Sequence, residues 1–177
     1  MRCKQLLARV LARVKTLEQR GYTFDAADAS FELLLRREVG AGPTQYAQVE
    51  SWRAITDVRG ADVEALSEAT VKVHAGGRRI VATGEGNGPV NALDEALRQA
   101  LVVVYPEIEQ LELIDYRVRI LDAAHGTDAV TRVLIETSDG TTSWTTIGVA
   151  ANIVEASWQA LLDGVTFGLM RGGVPVR

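Results

Sequence analysis

The residues best suited to chemistry lie in a glycine-rich segment at positions 83–97, which reads TGEGNGPVNALDEAL. Gly84, Gly86 and Gly88 give the main chain a freedom that other residues lack, and Pro89 suits the first position of a helix. The first N–H groups of a helix have no partner within the helix, so they attract anions. The segment therefore predicts a turn at a helix N-terminus, a natural place for a phosphate or a carboxylate.

Two nucleotide-binding motifs fail at this turn. The dinucleotide fingerprint would need a glycine at position 89, which is Pro89, and a P-loop would need Lys followed by Ser or Thr where the chain has Val90 and Asn91. Two interpretations stay open. The glycines form only a turn, or the turn holds the carboxylate of a small ligand.

The sequence contains no constellation of residues typical of catalysis or of metal binding. His74 and His125 each lack a second His or Cys at ligand spacing, and no GxSxG motif is present. Cys3 is the only cysteine, and no base stands near it in the sequence. We therefore predict no catalytic residue, no metal site and no cofactor in this chain.

Composition narrows the class of protein. The 177 residues carry a formal net charge of -4, which argues against nucleic acid or an anionic membrane as the main partner. No apolar run reaches the roughly 20 residues that a membrane span needs. A single cysteine leaves no disulfide framework, which is typical of a reducing compartment. We predict a globular cytoplasmic protein.

Hydrophobic periodicity and turn signals predict two helices and then two successions of three strands and a helix. The first helix covers residues 4–20 and ends at Gly21, and the second starts near Asp25, with Asp28 in a capping-box position. A domain boundary is predicted at 40–43. The first succession has strands at 46–56, 69–73 and 78–83, with a loop at 60–67, a Gly76-Gly77 turn and a helix at 89–104. The second has strands at 111–121, 130–137 and 142–149, with an Asp139-Gly140 turn and a helix capped by Asn152.

The two successions form an internal repeat. Gly84 and Gly148 are 64 positions apart (148 − 84), as are the helical pairs Ala96 and Ala160, and Leu97 and Leu161. Gly77 and Gly140 are 63 apart (140 − 77), which suggests one inserted residue. The prediction is an α+β fold of two βββα units related by a pseudo-twofold and preceded by two linker helices. Its domains are a helical linker at 1–40 and a domain at 44–172, divided into units at 44–106 and 107–172.

The strand at 111–121 could line a pocket. Alternation places Ile114, Tyr116, Val118 and Ile120 on one face and Asp115 on the other. Together with Val90, this face would take the side chain of an aliphatic amino acid, while the helix end would take its carboxylate and Asn91 or Asp115 its ammonium. The alternative is that Tyr116 and Ile120 belong to the core.

These segments resemble a known family. GEGNGPVNALDEAL, DYRVRILDAAHGTDAVTRVLIE and GVAANIVEASWQALLDG are similar to the C-terminal regulatory domain shared by 2-isopropylmalate synthases and citramalate synthases. GYTFDAADASFELLLRR resembles the linker helices that join this domain to the catalytic barrel, in the form found in citramalate synthases. The resemblance covers nearly the whole chain.

The resemblance implies a function. Members of this family condense acetyl-CoA with a 2-oxo acid in a barrel that depends on a divalent metal, and these 177 residues lack the barrel and its His-x-His. We therefore expect no catalysis from this chain. The regulatory domain dimerises and binds the end product, isoleucine in citramalate synthases and leucine in 2-isopropylmalate synthases. The implied partners are thus a branched-chain amino acid, a second copy of the chain and the catalytic barrel.

The effector pocket of the family can be carried over by position. The matching residues are Gly88, Val90, Asn91, Leu113, Tyr116, Ile120, Val130, Val149 and Ala151. Leu113 lies on the wrong face of a regular strand relative to Tyr116, so its contribution requires a β-bulge. The alignment is not fixed at 123–129 and at 150–151. A purely structural dimerisation module stays open as a third interpretation.

Overall fold

The computed structural model describes residues 2–42, 45–58, 65–121 and 129–177, and the side chains of residues 2 and 3 are excluded. His125, most of the predicted loop at 60–67 and the end of the predicted boundary at 40–43 lie outside the described residues. The chain divides into two compact units: residues 1–44 with 111–168, and residues 45–110 with 169–177. Within the described ranges, no helix is long and apolar enough to cross a membrane.

Two helices open the chain: α1 (Arg2–Gln19) and α2 (Asp28–Val39). Gly21 follows α1 with a φ of 102°, and Gly40 ends α2 with a φ of 70°, a left-handed conformation that favours glycine. The prediction that α2 starts near Asp25 is wrong. The helix begins at Asp28 behind Ala27, which has no side chain able to cap it.

The unit at 45–110 contains the first repeat. Strands β1 (Gln48–Asp57), β2 (Leu66–Ala75) and β3 (Arg78–Gly86) form an antiparallel sheet in that order, and α3 (Pro89–Val102) packs on it. Gly76 and Gly77, both with positive φ, make the predicted two-residue hairpin turn. Leu66 and Ser67, which the sequence assigned to a loop, start β2, and a short 3-10 helix (Pro106–Gln110) follows α3.

The other unit contains the second repeat behind α1 and α2. Strands β4 (Glu112–Ile120), β5 (Thr131–Ser138) and β6 (Ser143–Ala150) form the second antiparallel sheet, and α4 (Ile153–Arg171) follows. The predicted cap of α4 is confirmed because Asn152 Oδ1 accepts the N–H groups of Val154 at 2.8 Å and Glu155 at 3.4 Å. The α+β prediction, with two βββα units behind two helices, is confirmed; their pseudo-twofold relation stays a prediction.

Strand pairing shows that one offset relates the two repeats. Val49 pairs with Val73 and Leu113 with Thr137, so both partners differ by 64 (113 − 49 and 137 − 73). The β-bulge that follows Val49 recurs after Leu113. The predicted one-residue insertion is wrong. Asp139 N–H donates to Thr142 O at 3.1 Å, so these two residues close the second turn as the pair Ala75 and Arg78 closes the first. Gly140 therefore corresponds to Gly76 (140 − 76 = 64).

A glycine on the third strand of each repeat seats the helix. A Cβ on Gly84 would lie 2.5 Å from the Ala96 nitrogen and 2.7 Å from the Ala92 oxygen, and one on Gly148 would overlap the Ala156 carbonyl oxygen. Only glycine allows so close an approach of the two backbones. Because Ala92 and Ala156 also differ by 64 (156 − 92), both helices dock at the same point.

Candidate functional site

The glycine turn leaves the N-terminus of α3 open. Gly88 is the N-cap residue in an extended conformation, and no side chain caps the helix. Ala92 N–H donates to Gly88 O, and Asn91 Oδ1 accepts the N–H of Asn87 at 3.3 Å rather than one of the first turn. Among the described residues, no side chain accepts a capping hydrogen bond from the first turn of α3. This end of α3 is able to bind an anionic group.

The corresponding end of α4 is closed. Position 152 corresponds to 88 (152 − 88 = 64), and the second repeat has Asn152 where the first has Gly88. The Asn152 carboxamide already occupies two N–H groups of the first turn. Ala151, a predicted site residue, is exposed in the turn just before this cap. The first repeat alone therefore offers a free helix N-terminus.

The β-bulge that Leu113 requires is present. The register shifts between Leu113 and Asp115, so Leu113 pairs with Thr137 and Tyr116 with Ile135. Thr137 and Ile135 share one face of β5, and paired residues point to the same face of a sheet. The bulge thus places Leu113 with Tyr116, and with the next two residues of the alternation, Val118 and Ile120. The site residues predicted on β4 therefore lie together on one face, whereas Ile114, which alternation assigned to that face, is the unpaired residue of the bulge.

This face of β4 is apolar and open. The partner residues Val133 and Ile135 on β5 are fully buried, whereas Tyr116 is 36%, Val118 41% and Ile120 57% exposed. β4 is an edge strand of its sheet. Exposed apolar side chains gathered on one edge mark a surface that binds a partner or a ligand. Val118 belongs to this surface, as alternation predicted, although the residues implied by the family resemblance do not include it.

Val130 and Val149 lie elsewhere in the same unit. Both pack in a cluster with Ala27, Tyr22 and Phe24, and the Val149 side chain is 5% exposed. Val149 pairs with Arg132, which alternates with Thr131 and Val133, so Val149 points to the face opposite Tyr116. The structure therefore does not bring these two side chains together with the β4 face. Their contribution to an effector site stays a prediction.

The Tyr116 hydroxyl has a buried partner that sequence reasoning missed. Its oxygen lies 2.8 Å from the Oγ of Ser157, a fully buried residue of α4. The two residues are 41 positions apart, so no local spacing signals the pair. The one available signal is the repeat itself, because the position that corresponds to Ser157 is Leu93 (157 − 93 = 64).

Asp115 does not serve this face. It pairs with Glu136 on the opposite side of the sheet, its Oδ2 lies 2.9 Å from Arg117 Nε, and its Oδ1 accepts the Tyr116 N–H at 2.9 Å. The structure therefore does not bring the Asp115 carboxylate to the Tyr116 face, and its binding of an ammonium group stays a prediction. Its carboxylate is engaged by Arg117 on the other face.

Side-chain hydrogen bonds connect the linker helices to the second sheet. The N–H groups of Thr145, Ile147 and Val149 on β6 point away from β5. They donate to Asp28 Oδ1 at 3.1 Å, to Ser30 Oγ at 3.0 Å and to Gln159 Oε1 at 3.1 Å, respectively. On an edge strand, the outward N–H groups have no partner strand. Burying them without a hydrogen-bond acceptor would cost free energy. Asp28 and Ser30 of α2, together with Gln159 of α4, therefore supply hydrogen-bond acceptors along the outer edge of β6.

Two residues of α4 extend this attachment. Gln159 Oε1 also accepts the hydroxyl of Tyr22 at 2.9 Å, and burial raises the pKa of Tyr22, which keeps that phenol protonated as a donor. Asp163 accepts from Ser30 at 3.1 Å and from Arg37 at 2.8 Å. Ser157, Gln159 and Asp163 thus connect α4 to the β4 face on one side and to the linker on the other.

The titratable side chains around His74 form an exposed cluster on the first sheet. Across the described ranges, no group of three or more His, Cys, Asp or Glu residues is arranged to hold a metal ion. His74 Nε2 lies 3.5 Å from Glu50, which also binds Arg79 at 2.6 Å, in a cluster of exposed side chains. This cluster is an ion-pair network on a strand surface rather than an acid–base site.

Comparison with known proteins agrees with this architecture. The chain is 60% identical over 171 residues to an (R)-citramalate synthase of Streptomyces coelicolor, covering 97% of this chain and 32% of that protein. It is 49% identical over 163 residues to an (R)-citramalate synthase of Synechocystis, covering 90% of this chain and 30% of the relative. A 2-isopropylmalate synthase of Pseudoalteromonas atlantica is 34% identical over 100 residues, which are 56% of this chain and 18% of that protein.

The chain thus spans about a third of the length of the citramalate synthases it matches. A family model described as the LeuA allosteric (dimerisation) domain matches residues 25–169, a range that begins just before α2 and includes both repeats. Because this match covers more than half of the chain, the chain belongs to the LeuA allosteric (dimerisation) domain family.

Proposed function

We propose that this chain is the regulatory domain of an (R)-citramalate synthase and that it binds isoleucine for end-product feedback inhibition. The observation that carries the proposal is the asymmetry of the helix ends, because Gly88 leaves α3 open where Asn152 closes α4. A free helix N-terminus suits the carboxylate that every amino acid carries.

The β4 face supports the choice of ligand. Leu113, Val118 and Ile120 offer apolar surface for an aliphatic side chain, and Tyr116 adds one polar atom. Small-ligand sites combine such an apolar lining with few polar groups. The similar proteins of Streptomyces coelicolor and Synechocystis are (R)-citramalate synthases by name, which supports the assignment to that enzyme.

Inhibition would act by linkage. An effector that binds one arrangement of the domain more tightly shifts the population toward it, and a tenfold difference in affinity corresponds to about 1.4 kcal/mol. The contacts of Gln159 and Asp163 with Tyr22, Ser30 and Arg37 provide a direct mechanical connection from α4 to the linker helices. Through the linker, the shift would reach the catalytic part of the longer protein.

The rest of the proposal concerns that longer protein. It would be a cytoplasmic homodimer whose separate catalytic barrel binds a divalent metal and condenses acetyl-CoA with pyruvate. This chain would contribute regulation and dimerisation and would need no cofactor of its own. Two alternatives remain: a leucine-binding domain of a 2-isopropylmalate synthase, favoured by the match to such an enzyme, and a dimerisation module without effector.

The test is isothermal titration of the purified chain with isoleucine, leucine and valine. We expect saturable binding with a preference for isoleucine. Preference for leucine would favour the 2-isopropylmalate synthase alternative, and no binding by a folded dimer would leave the structural role. Tyr116→Ala should abolish binding, whereas Ile114→Ala, at the exposed bulge residue of the same strand, should leave the affinity unchanged.

A further inference from the structure

A cavity of about 300 Å³ lies beside β6, at the edge of the second sheet opposite to β4. Its wall is built from α1, α2, β6 and α4, all within one compact unit. Leu17 and Leu34 of the linker helices and Ile147 of β6 give this wall an apolar part, and all three are buried. Because a cavity of about 150 Å³ accommodates benzene, this space is large enough for a small organic molecule.

The carboxamide of Gln159 lines this cavity in a fixed orientation. The N–H of Val149 can only donate, so the Gln159 atom that it contacts at 3.1 Å is the oxygen, and the same oxygen accepts the Tyr22 hydroxyl at 2.9 Å. The other end of the carboxamide is therefore Nε2, with two N–H donors. Within the part of the chain that the structure describes, Nε2 has no acceptor, and it is not closed off from solvent. A ligand in the cavity can thus accept from Gln159.

Arg13 of α1 adds a cation to the same wall. Its side chain is exposed and forms no ion pair or hydrogen bond with any described residue. The other charges of the wall balance each other, since Arg37 donates to Asp163 Oδ1 at 2.8 Å. Asp163 Oδ2 accepts from Ser30 at 3.1 Å, and Ser30 in turn accepts the N–H of Ile147. The wall therefore offers unpaired donors and one unbalanced positive charge.

We propose that this cavity is a further small-molecule site, which binds a monocarboxylate with an apolar body. The carboxylate would accept charge-assisted hydrogen bonds from Arg13 and Gln159 Nε2, and the apolar body would pack against Leu17 and Leu34. An ammonium group would find no unpaired carboxylate in this wall, because Asp163 is engaged by Arg37. The site should therefore discriminate against amino acids, and it does not depend on isoleucine binding elsewhere in the chain.

The first repeat shows that the fold does not require these polar groups. At the positions that correspond to Gln159 and Asp163 it has Glu95 and Gln99 (159 − 95 and 163 − 99 are both 64), and these two bind each other at 2.8 Å. In the second repeat, the same two positions of the helix direct their polar atoms to the linker and the cavity. Because α1, α2 and α4 all contribute to the wall, a bound molecule would hold the linker helices on the second repeat.

Titration of the purified chain with 4-methylpentanoate, observed by NMR, tests the proposal, and 4-methylpentanamide is the neutral control of the same shape. We expect saturable binding of the carboxylate with a Kd on the order of 1 mM, shifts of the Gln159 side-chain amide, and about tenfold weaker binding of the amide. Arg13→Gln should lower the affinity for the carboxylate about tenfold. Lys15→Gln removes an exposed charge of the same helix outside the cavity wall and should leave the affinity unchanged. Because Arg13 is exposed, its replacement should leave the Tm unchanged.

Hydrogen exchange provides a second measurement, because occupancy of the cavity should slow exchange in α1. Equal affinity for the acid and the amide, wild-type affinity of Arg13→Gln, or the absence of saturable binding would overturn the inference. Displacement of the carboxylate by isoleucine would also overturn it, since the two ligands would then share one site. Binding of isoleucine without binding of 4-methylpentanoate would leave the proposed function intact, and the reverse result would leave only this inference.

Discussion

The two repeats share a backbone and differ in what their side chains leave open. One offset of 64 residues relates their strand pairings, their β-bulges and their helix-seating glycines. Against this common frame, the first repeat has an uncapped helix, and the second has a hydroxyl pair beneath its edge strand. The comparison teaches that the positions shared by the two repeats support the fold, while the proposed function depends on positions at which the repeats differ.

The outer faces of the two sheets differ in the same way. On the third strand of the first repeat, Thr83 and Glu85 are exposed. The corresponding residues of the second, Ile147 and Val149 (147 − 83 and 149 − 85 are both 64), are buried in the cluster with Ala27. The apolar substitutions explain why the second sheet accepts the linker segment, because burial of apolar surface drives such docking.

The largest effect should come from adding a side chain to a glycine on which a helix packs. Gly148→Ala places a Cβ on the Ala156 carbonyl oxygen, so we expect it to lower the free energy of unfolding by about 3 kcal/mol. Urea denaturation measures the loss. Gly84→Ala should also destabilise the chain, whereas Gly88→Ala, where a Cβ meets no atom within 4 Å, should be nearly neutral. Wild-type stability of Gly148→Ala would contradict the shared docking point.

Exchanging the outer-face residues tests the second difference. Ile147→Thr gives the second sheet the residue of the first, and at 2% exposure it should cost about 2 kcal/mol in stability. Loss of the linker contacts should also speed hydrogen exchange in α2. The reciprocal change, Thr83→Ile, concerns an exposed residue and should alter stability by less than about 0.5 kcal/mol. Equal costs for the two exchanges would refute the assigned asymmetry.

Releasing the linker from α4 should have a moderate effect. Asp163→Asn keeps the shape of a side chain that binds Ser30 and Arg37 but removes its charge. We expect a loss of about 1 kcal/mol in thermal unfolding, since Arg37 is partly exposed and its ion pair is screened. Effector affinity of this chain should change little. A large loss of affinity would mean that the linker shapes the binding surface itself.

The smallest effect on stability, with an opposite effect on binding, should come from the helix cap. Gly88→Asn copies Asn152 and should stabilise α3 by a few tenths of a kcal/mol. The same carboxamide would occupy the free N–H groups, so isoleucine affinity should fall about tenfold. Gly88→Asp should also weaken binding, with added repulsion. Calorimetry measures both quantities, and unchanged affinity in a stabilised Gly88→Asn would remove the helix end from the site.

Much of this arrangement could be predicted from local patterns. The helical spacing after Pro89, the turn at Gly76 and Gly77 and the cap at Asn152 all depend on neighbours within a few residues. The start of α2 could not be predicted in this way. The Asp28 carboxylate accepts the N–H of Thr145, 117 positions away, and does not take part in a local capping box. A prediction from neighbouring residues therefore placed the start of the helix too early.

The sequence by itself determined the order of elements, the repeat and the family, because periodicity and glycine positions are properties of the chain. Only the tertiary structure decided which predicted residues share a surface. A single bulged residue brings Leu113 onto the face of Tyr116, and alternation sends Val149 to the other face, since each residue of shift reverses the side to which a strand side chain points. The Tyr116–Ser157 pair likewise depended on α4 docking at Gly148, a contact between distant segments.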